Sequence, residues 1–123
     1  MAWRLVAWLL ALPWVVRAIN RRAQRSKRCA MVARSGVEVA AWWALGGRWQ
    51  LVHLMHPDAT REQHPQPRDA RIFVLSGYYT EQRGERWACH VEGTTNTVRR
   101  DERTRVAYVD FTAGALLLVR AGD

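Results

Sequence analysis

The sequence predicts a mainly β protein, a small antiparallel jelly-roll barrel preceded by a helical segment. Three observations carry that prediction. After Ser35-Gly36 the apolar residues fall into short alternating runs broken by Gly, Pro, Asp and Asn, the mark of strands and turns. Eight such runs fit into fewer than ninety residues, a density suited to a closed or two-sheet β architecture. Before Ser35 the pattern is helical, and no helix bundle is supported beyond it.

At 123 residues the chain has room for one core, which excludes multidomain readings. The division expected is an apolar then basic helical segment over residues 1–34 and a barrel over 35–123. Charge follows the same division. Arg4, Arg17, Arg21, Arg22, Arg25, Lys27, Arg28 and Arg34 precede the first acidic residue, Glu38, while the rest of the chain balances eleven Arg against eleven Asp or Glu. The net charge of +8 therefore belongs to an arm, and an anionic partner meets that arm first.

Within the arm, LVAWLLALPWVV (residues 5–16) is too short to span a bilayer as a helix. Val16-Arg17-Ala18 has the small-x-small form of a signal cleavage site, but the cationic run behind it opposes translocation. Pro13 should interrupt the helix. Trp3, Trp8 and Trp14 are distributed around it, so it needs cover from the barrel, a subunit partner or lipid headgroups. Trp3, Trp8, Trp14, Arg17, Arg21, Arg22, Arg25 and Arg28 are the candidate contacts to a protein partner, a second copy or an anionic membrane surface. The run NRRAQRSKR lacks aromatic interleaving, so nucleic-acid contact would be unspecific. Removing residues 1–34 is expected to leave a folded barrel.

Strands are expected at 37–44, 48–55, 71–76, 79–81, 86–92, 95–99, 104–111 and 115–120, with turns at Gly46-Gly47, Pro57-Asp58, Arg83-Gly84, Gly93, Arg100-Asp101 and Ala113-Gly114. Cys29 and Cys89 read as two free thiols, since neither Cys-x-x-Cys spacing nor a disulfide framework is present.

Nucleotide loops, nucleophile elbows and zinc-protease helices are absent. Cys89 and His90 are strand neighbours on opposite faces and cannot act as nucleophile and base. Tyr78, Tyr79 and Glu81 are expected at the barrel rim.

The order REQHPQPRDA, apolar strand, Leu75-x-Gly77-x-Tyr79-Thr80-Glu81, polar hairpin and the strand opening Thr104-Arg105-Val106 resembles the cupin-like proteins of tailed phages and prophages. That resemblance implies a double-stranded β-helix barrel, often dimeric, with a cavity at the family's metal position. Aligned on His64, the second His of the family motif is Gln66, the Glu is Ala70, and the His of the second motif falls near Thr104. One ligand of four remains, and Gln, Thr and Ala are poor or impossible ligands for transition metals. No cofactor is therefore expected. The alternative is Fe, Mn, Ni or Zn on a rearranged set from His64, His53, His56 and His90, with Glu81 in reserve, as in a metal-dependent cupin enzyme. His64, Gln66, Thr104, His53 and Tyr79 are the ligand-pocket candidates, mild hydrogen-bonding groups suited to a small polar molecule. The leading expectation is a non-enzymatic binding or structural protein, cytoplasmic or virion-associated, or peripheral to a membrane. A small-ligand-binding regulator is the third reading.

Overall fold

The structure, a computed structural model, describes residues 2–58 and 62–122. Arg61, which opens the His-Pro turn of the sequence motif, and the ends of the two expected segments, Met1 and Asp123, lie outside the described residues.

Two helices come first, α1 (Trp3–Leu10) and α2 (Pro13–Ala23). Pro13 is the cause of the break. It sits in the first turn of α2, where its missing N–H costs nothing, and it holds the preceding Leu12 extended at ψ 136°. The helical segment stops earlier than the sequence predicts, because residues 29–32 form strand β1 (Cys29–Val32) against β2 (Glu38–Gly46). β3 (Trp49–Leu54), β4 (His64–Pro65), β5 (Ala70–Ser76), β6 (Tyr78–Arg83), β7 (Arg86–Val91), β8 (Thr95–Val98), β9 (Arg103–Val109) and β10 (Ala115–Ala121) follow. All eight expected strands are present. β1 and β4 are additional, one hidden in a basic stretch and the other only two residues long.

The strands form two antiparallel sheets, ordered β1-β2-β3-β10-β5-β8 and β4-β9-β6-β7. Gly77 is the crossing point. It alone separates β5 of the larger sheet from β6 of the smaller, at φ 72°, and a Cβ there would collide with the carbonyl of Gly114. The Leu75-x-Gly77-x-Tyr79 motif is thus a corner. Leu75 belongs to the core under the helices and Tyr79 to the core between the sheets.

The molecule is layered as helices, large sheet and small sheet. Phe73, Leu75, Leu51, Leu118 and Trp43 pack toward Ala7 and Ala23 of the helices, with Trp3, Val6, Leu10, Val16 and Ile19 closing that layer. On the opposite face of the same strands, Val74, Leu117, Ile72, Val52 and Val119 pack with Tyr79 and Val109. The alternation of each strand therefore feeds two cores. Two bonds tie the end of the helical segment to the sheet: Arg22 Nη2 donates to the Leu45 carbonyl at 3.2 Å, and Ser26 Oγ to that of Ala44 at 2.6 Å. Cys29 and Cys89 are both free.

Candidate functional site

The residues expected to line one pocket are distributed over several places. Gln66 Nε2 donates to Thr104 Oγ1 at 2.6 Å, and Thr104 is almost wholly buried. His64 stands opposite Thr104 in the β4–β9 pairing, exposed on a two-residue edge strand. A cavity of about 350 Å³ opens beside Gln66, walled by Arg48, Trp49, Arg68, Ala70 and Val119. His64 and Thr104 are not among its lining residues.

His53 is committed elsewhere. Its Nε2–H donates to the Ala113 carbonyl at 2.9 Å, clamping the β9–β10 loop, and its ring is so close to Gly114 that a Cβ there would strike it. His56 is exposed just past β3, its backbone N–H bonded to the Val39 carbonyl. His90 projects from β7 against Tyr79, ring centroids 4.9 Å apart. The four imidazoles thus occupy different surroundings. Among the described residues no three His, Cys, Asp or Glu side chains come together where they could hold a metal ion. The positions that the sequence resemblance sets against cupin metal ligands, His64, Gln66, Ala70 and Thr104, offer one imidazole, and that one is exposed, a donor set that does not fit a transition metal.

The polar group that the barrel does assemble is built on β6. Tyr79, Glu81 and Arg83, spaced by two, share its inward face. Tyr79 and Glu81 are buried, at 2% and 5% exposure, and so are not rim residues as the sequence suggested. Glu81 Oε1 accepts from Arg83 Nη2 at 2.6 Å and lies 3.2 Å from His90 Nε2. Arg83 also donates to the Thr97 carbonyl at 2.9 Å and reaches Glu102 at 3.4 Å. Burial pushes the Glu81 carboxyl up, but the hydrogen bonds from His90 and Arg83 and the Arg83 charge outweigh it, and the group is held below the usual carboxylate range. The Tyr79 phenol is pushed well above its ordinary value, chiefly by burial. Asn96 Nδ2 donates to the Tyr79 oxygen at 3.3 Å, while its own buried Oδ1 has no protein partner. The period-two spacing of Tyr79, Glu81 and Arg83 was the sequence signal for this network, but only the fold showed that their face is the inner one.

The helical contacts divide by side. Trp3 turns inward, 5.9 Å from Phe73 between ring centroids, and carries the Arg71 guanidinium on its face at 4.6 Å. Arg22 is bonded to β2, and Arg28 forms a two-bond pair with Glu38 at 2.6 and 2.9 Å. Trp8, Trp14, Arg17, Arg21 and Arg25 are exposed.

No family model matches the chain, and no curated protein matches it. Solved structures do. An Fe(II) HppE structure aligns with a TM-score of 0.65 at 15% identity over 80% of this chain, and this chain spans only 57% of that one. A putative mannose-6-phosphate isomerase from Ralstonia eutropha JMP134 aligns at 0.54 and 14% identity, over 79% of this chain and 86% of that chain. A cupin superfamily protein from Desulfitobacterium hafniense DCB-2 gives 0.52 and 15%, over 76% and 84%. The chain itself is a mainly β protein of two antiparallel sheets with an N-terminal helical cover. The chain has a cupin-like fold.

Proposed function

We propose that the protein is a cupin-fold binding module that attaches to an anionic membrane surface through the outer face of its N-terminal helices. One observation carries this reading. The inner residues of α1, Trp3, Val6, Ala7 and Leu10, are spent on the large sheet, yet the outer ones, Leu5, Trp8 and Leu9, are also apolar and remain exposed. Trp8 and Trp14 expose 58% and 66% of their surface. A helix facing only water would carry polar residues there.

Neither helix contains an acidic residue, and Arg17, Arg21 and Arg25 are exposed on or just after α2. Apolar rings beside arginines match the layered chemistry of a headgroup region, with Trp at the boundary and guanidinium on phosphate. Each basic residue near an anionic leaflet adds about 1 kcal/mol of attraction. No helix among the described residues is long and apolar enough to cross a membrane, so attachment would be peripheral. The non-enzymatic part of the reading is supported by the metal-ligand positions, whose side chains are satisfied by one another or exposed. A phage or prophage origin is supported by the sequence resemblance, and neighbouring head or tail genes would be its test.

Vesicle co-sedimentation tests the attachment. Binding to anionic vesicles is expected to exceed binding to neutral ones at least tenfold, to fall with salt, and to be lost in a Trp8→Ser, Trp14→Ser double variant that keeps its circular dichroism. Binding to neither vesicle would end the membrane reading. Concentration-dependent self-association lost in the same variant would then assign the face to a second copy.

A further inference from the structure

On the large sheet, beyond the N-terminal end of α1, the structure holds a cleft of about 350 Å³ lined by Trp3, Asp69, Arg71, Thr97, Arg99 and Arg120 among others. It lies outside the space between the two sheets. Arg71 follows the same side of β5 as Phe73, which packs under the helices, and Trp3 forms the adjoining wall.

The charge arrangement here needs an explanation. Arg71 and Arg120 are direct cross-strand partners in the β5–β10 pairing, a placement in which like charges repel and destabilise the sheet. Arg71 lies over Trp3 and donates to Thr95 Oγ1 at 3.2 Å, and Arg120 lies over Trp49 at 6.0 Å. Among the described residues, neither they nor Arg99 have a carboxylate within ion-pair distance. The acidic residue of the lining, Asp69, has Oδ1 occupied by the Arg100 backbone N–H at 2.6 Å. Among the described lining residues, three guanidiniums stand against one carboxylate, an excess of two positive charges facing one small space.

Ring contacts of this kind restrict a guanidinium, Arg71 more closely than Arg120, and lower the entropy lost when it grips an anion. Guanidinium forks match the oxygens of a phosphate, and two unbalanced positive charges match its dianion. The volume is at the small end of ligand cavities, room for a phosphate on a few carbons and too little for a dinucleotide. α1 adds nothing negative, since its first turn contains no acidic residue.

We infer that this cleft binds a small phosphomonoester, with Arg71, Arg99 and Arg120 on the phosphate and Trp3 as the wall beside it. The site is separate from the exposed helical face, so either can fail without the other. Calorimetric titration of the full chain with glycerol 3-phosphate and with inorganic phosphate, at constant ionic strength, tests it. The expected result is saturable one-to-one binding, weakened at least tenfold in Arg120→Gln and in Arg71→Gln and unchanged in Arg86→Gln, an exposed arginine on β7.

Arg120→Gln should melt in chloride no lower than the parent protein, because it relieves the cross-strand repulsion, so loss of binding there is not loss of fold. Heat that never saturates, or equal affinity in Arg120→Gln, would overturn the site. Phosphatidate vesicles form the last arm. Capture by vesicles that depends on Arg71 and Arg120, with no binding of soluble phosphates, would overturn the soluble ligand and assign the phosphate to a lipid headgroup.

Discussion

The large sheet has two buried faces, and they are built differently. Toward the helices it presents Phe73, Trp43 and Leu75 with Trp3 and Trp49 around them, an aromatic layer without a buried carboxylate. Toward the small sheet it presents the aliphatics Val74, Leu117 and Val52, and across from these the small sheet contributes Tyr79 and the Glu81–Arg83–His90 network. The first layer is held by the hydrophobic effect and ring packing, which pH barely affects. The second adds a buried charge network, whose contribution depends on protonation. Between the sheets the charged groups are paired with one another. The cleft with unbalanced positive charge and the exposed Trp8 and Trp14 lie on the helical side.

Removing α1 and α2 tests the contrast most severely. With residues 2–23 gone, Phe73, Leu51, Leu75 and Leu118 would face water, so the truncated chain should lose its cooperative thermal transition and aggregate, contrary to the detachable arm that the sequence suggested. A truncated chain with a sharp melting transition would show that the helical layer is not part of the core. A single cavity in that layer comes next. Phe73→Ala should cost about 3–5 kcal/mol in urea unfolding, and the loss should be the same at pH 5 and pH 7 because the ring packs on Trp3 and Trp49 in an apolar cluster.

The inner layer should behave otherwise. Glu81→Gln keeps the shape but removes the charge that Arg83 and His90 address, and should cost about 2 kcal/mol at pH 7. The sign with pH follows from the lowered Glu81 pKa. Its stabilising contribution is fully present above the unfolded carboxyl value near 4.5 and is lost as pH falls through the lower folded value. The parent protein should therefore lose its advantage over Glu81→Gln on acidification below about pH 4.5, measured as converging melting temperatures. Curves that stay parallel to pH 3 would mean that the network does not hold the carboxylate. The smallest effect is at the surface. Arg28→Gln breaks the pair with Glu38, which is open to solvent on both sides, and should leave the melting temperature within experimental error at physiological salt.

Much of this architecture was legible in the residues. Period-two runs located eight of the strands, β2, β3 and β5 to β10, and Pro13 marked the helix break. β1 was missed because its neighbours are basic and its pairing partner, β2, is the source of its order. β4 was missed because two residues carry no period. For the site, the residues suggested that Gln66 and Thr104 share one neighbourhood, and the structure joins them by a hydrogen bond. The residues did not show that His53 is tied to a loop carbonyl, which depends on Ala113 returning beside it from sixty residues away.

What the sequence determined by itself is the class of element at most positions, because helix, strand and turn preferences are set largely by neighbours a few residues apart. It also determined that positive charge collects before Glu38. Only the tertiary structure decided which face of each strand is inner and that Arg71 and Arg120, forty-nine positions apart, stand opposite each other in a cleft. It alone decided that Trp3 turns inward while Trp8 stays in water. Those outcomes depend on which surfaces meet across the sheets, and a strand's own alternation is the same whichever side is covered.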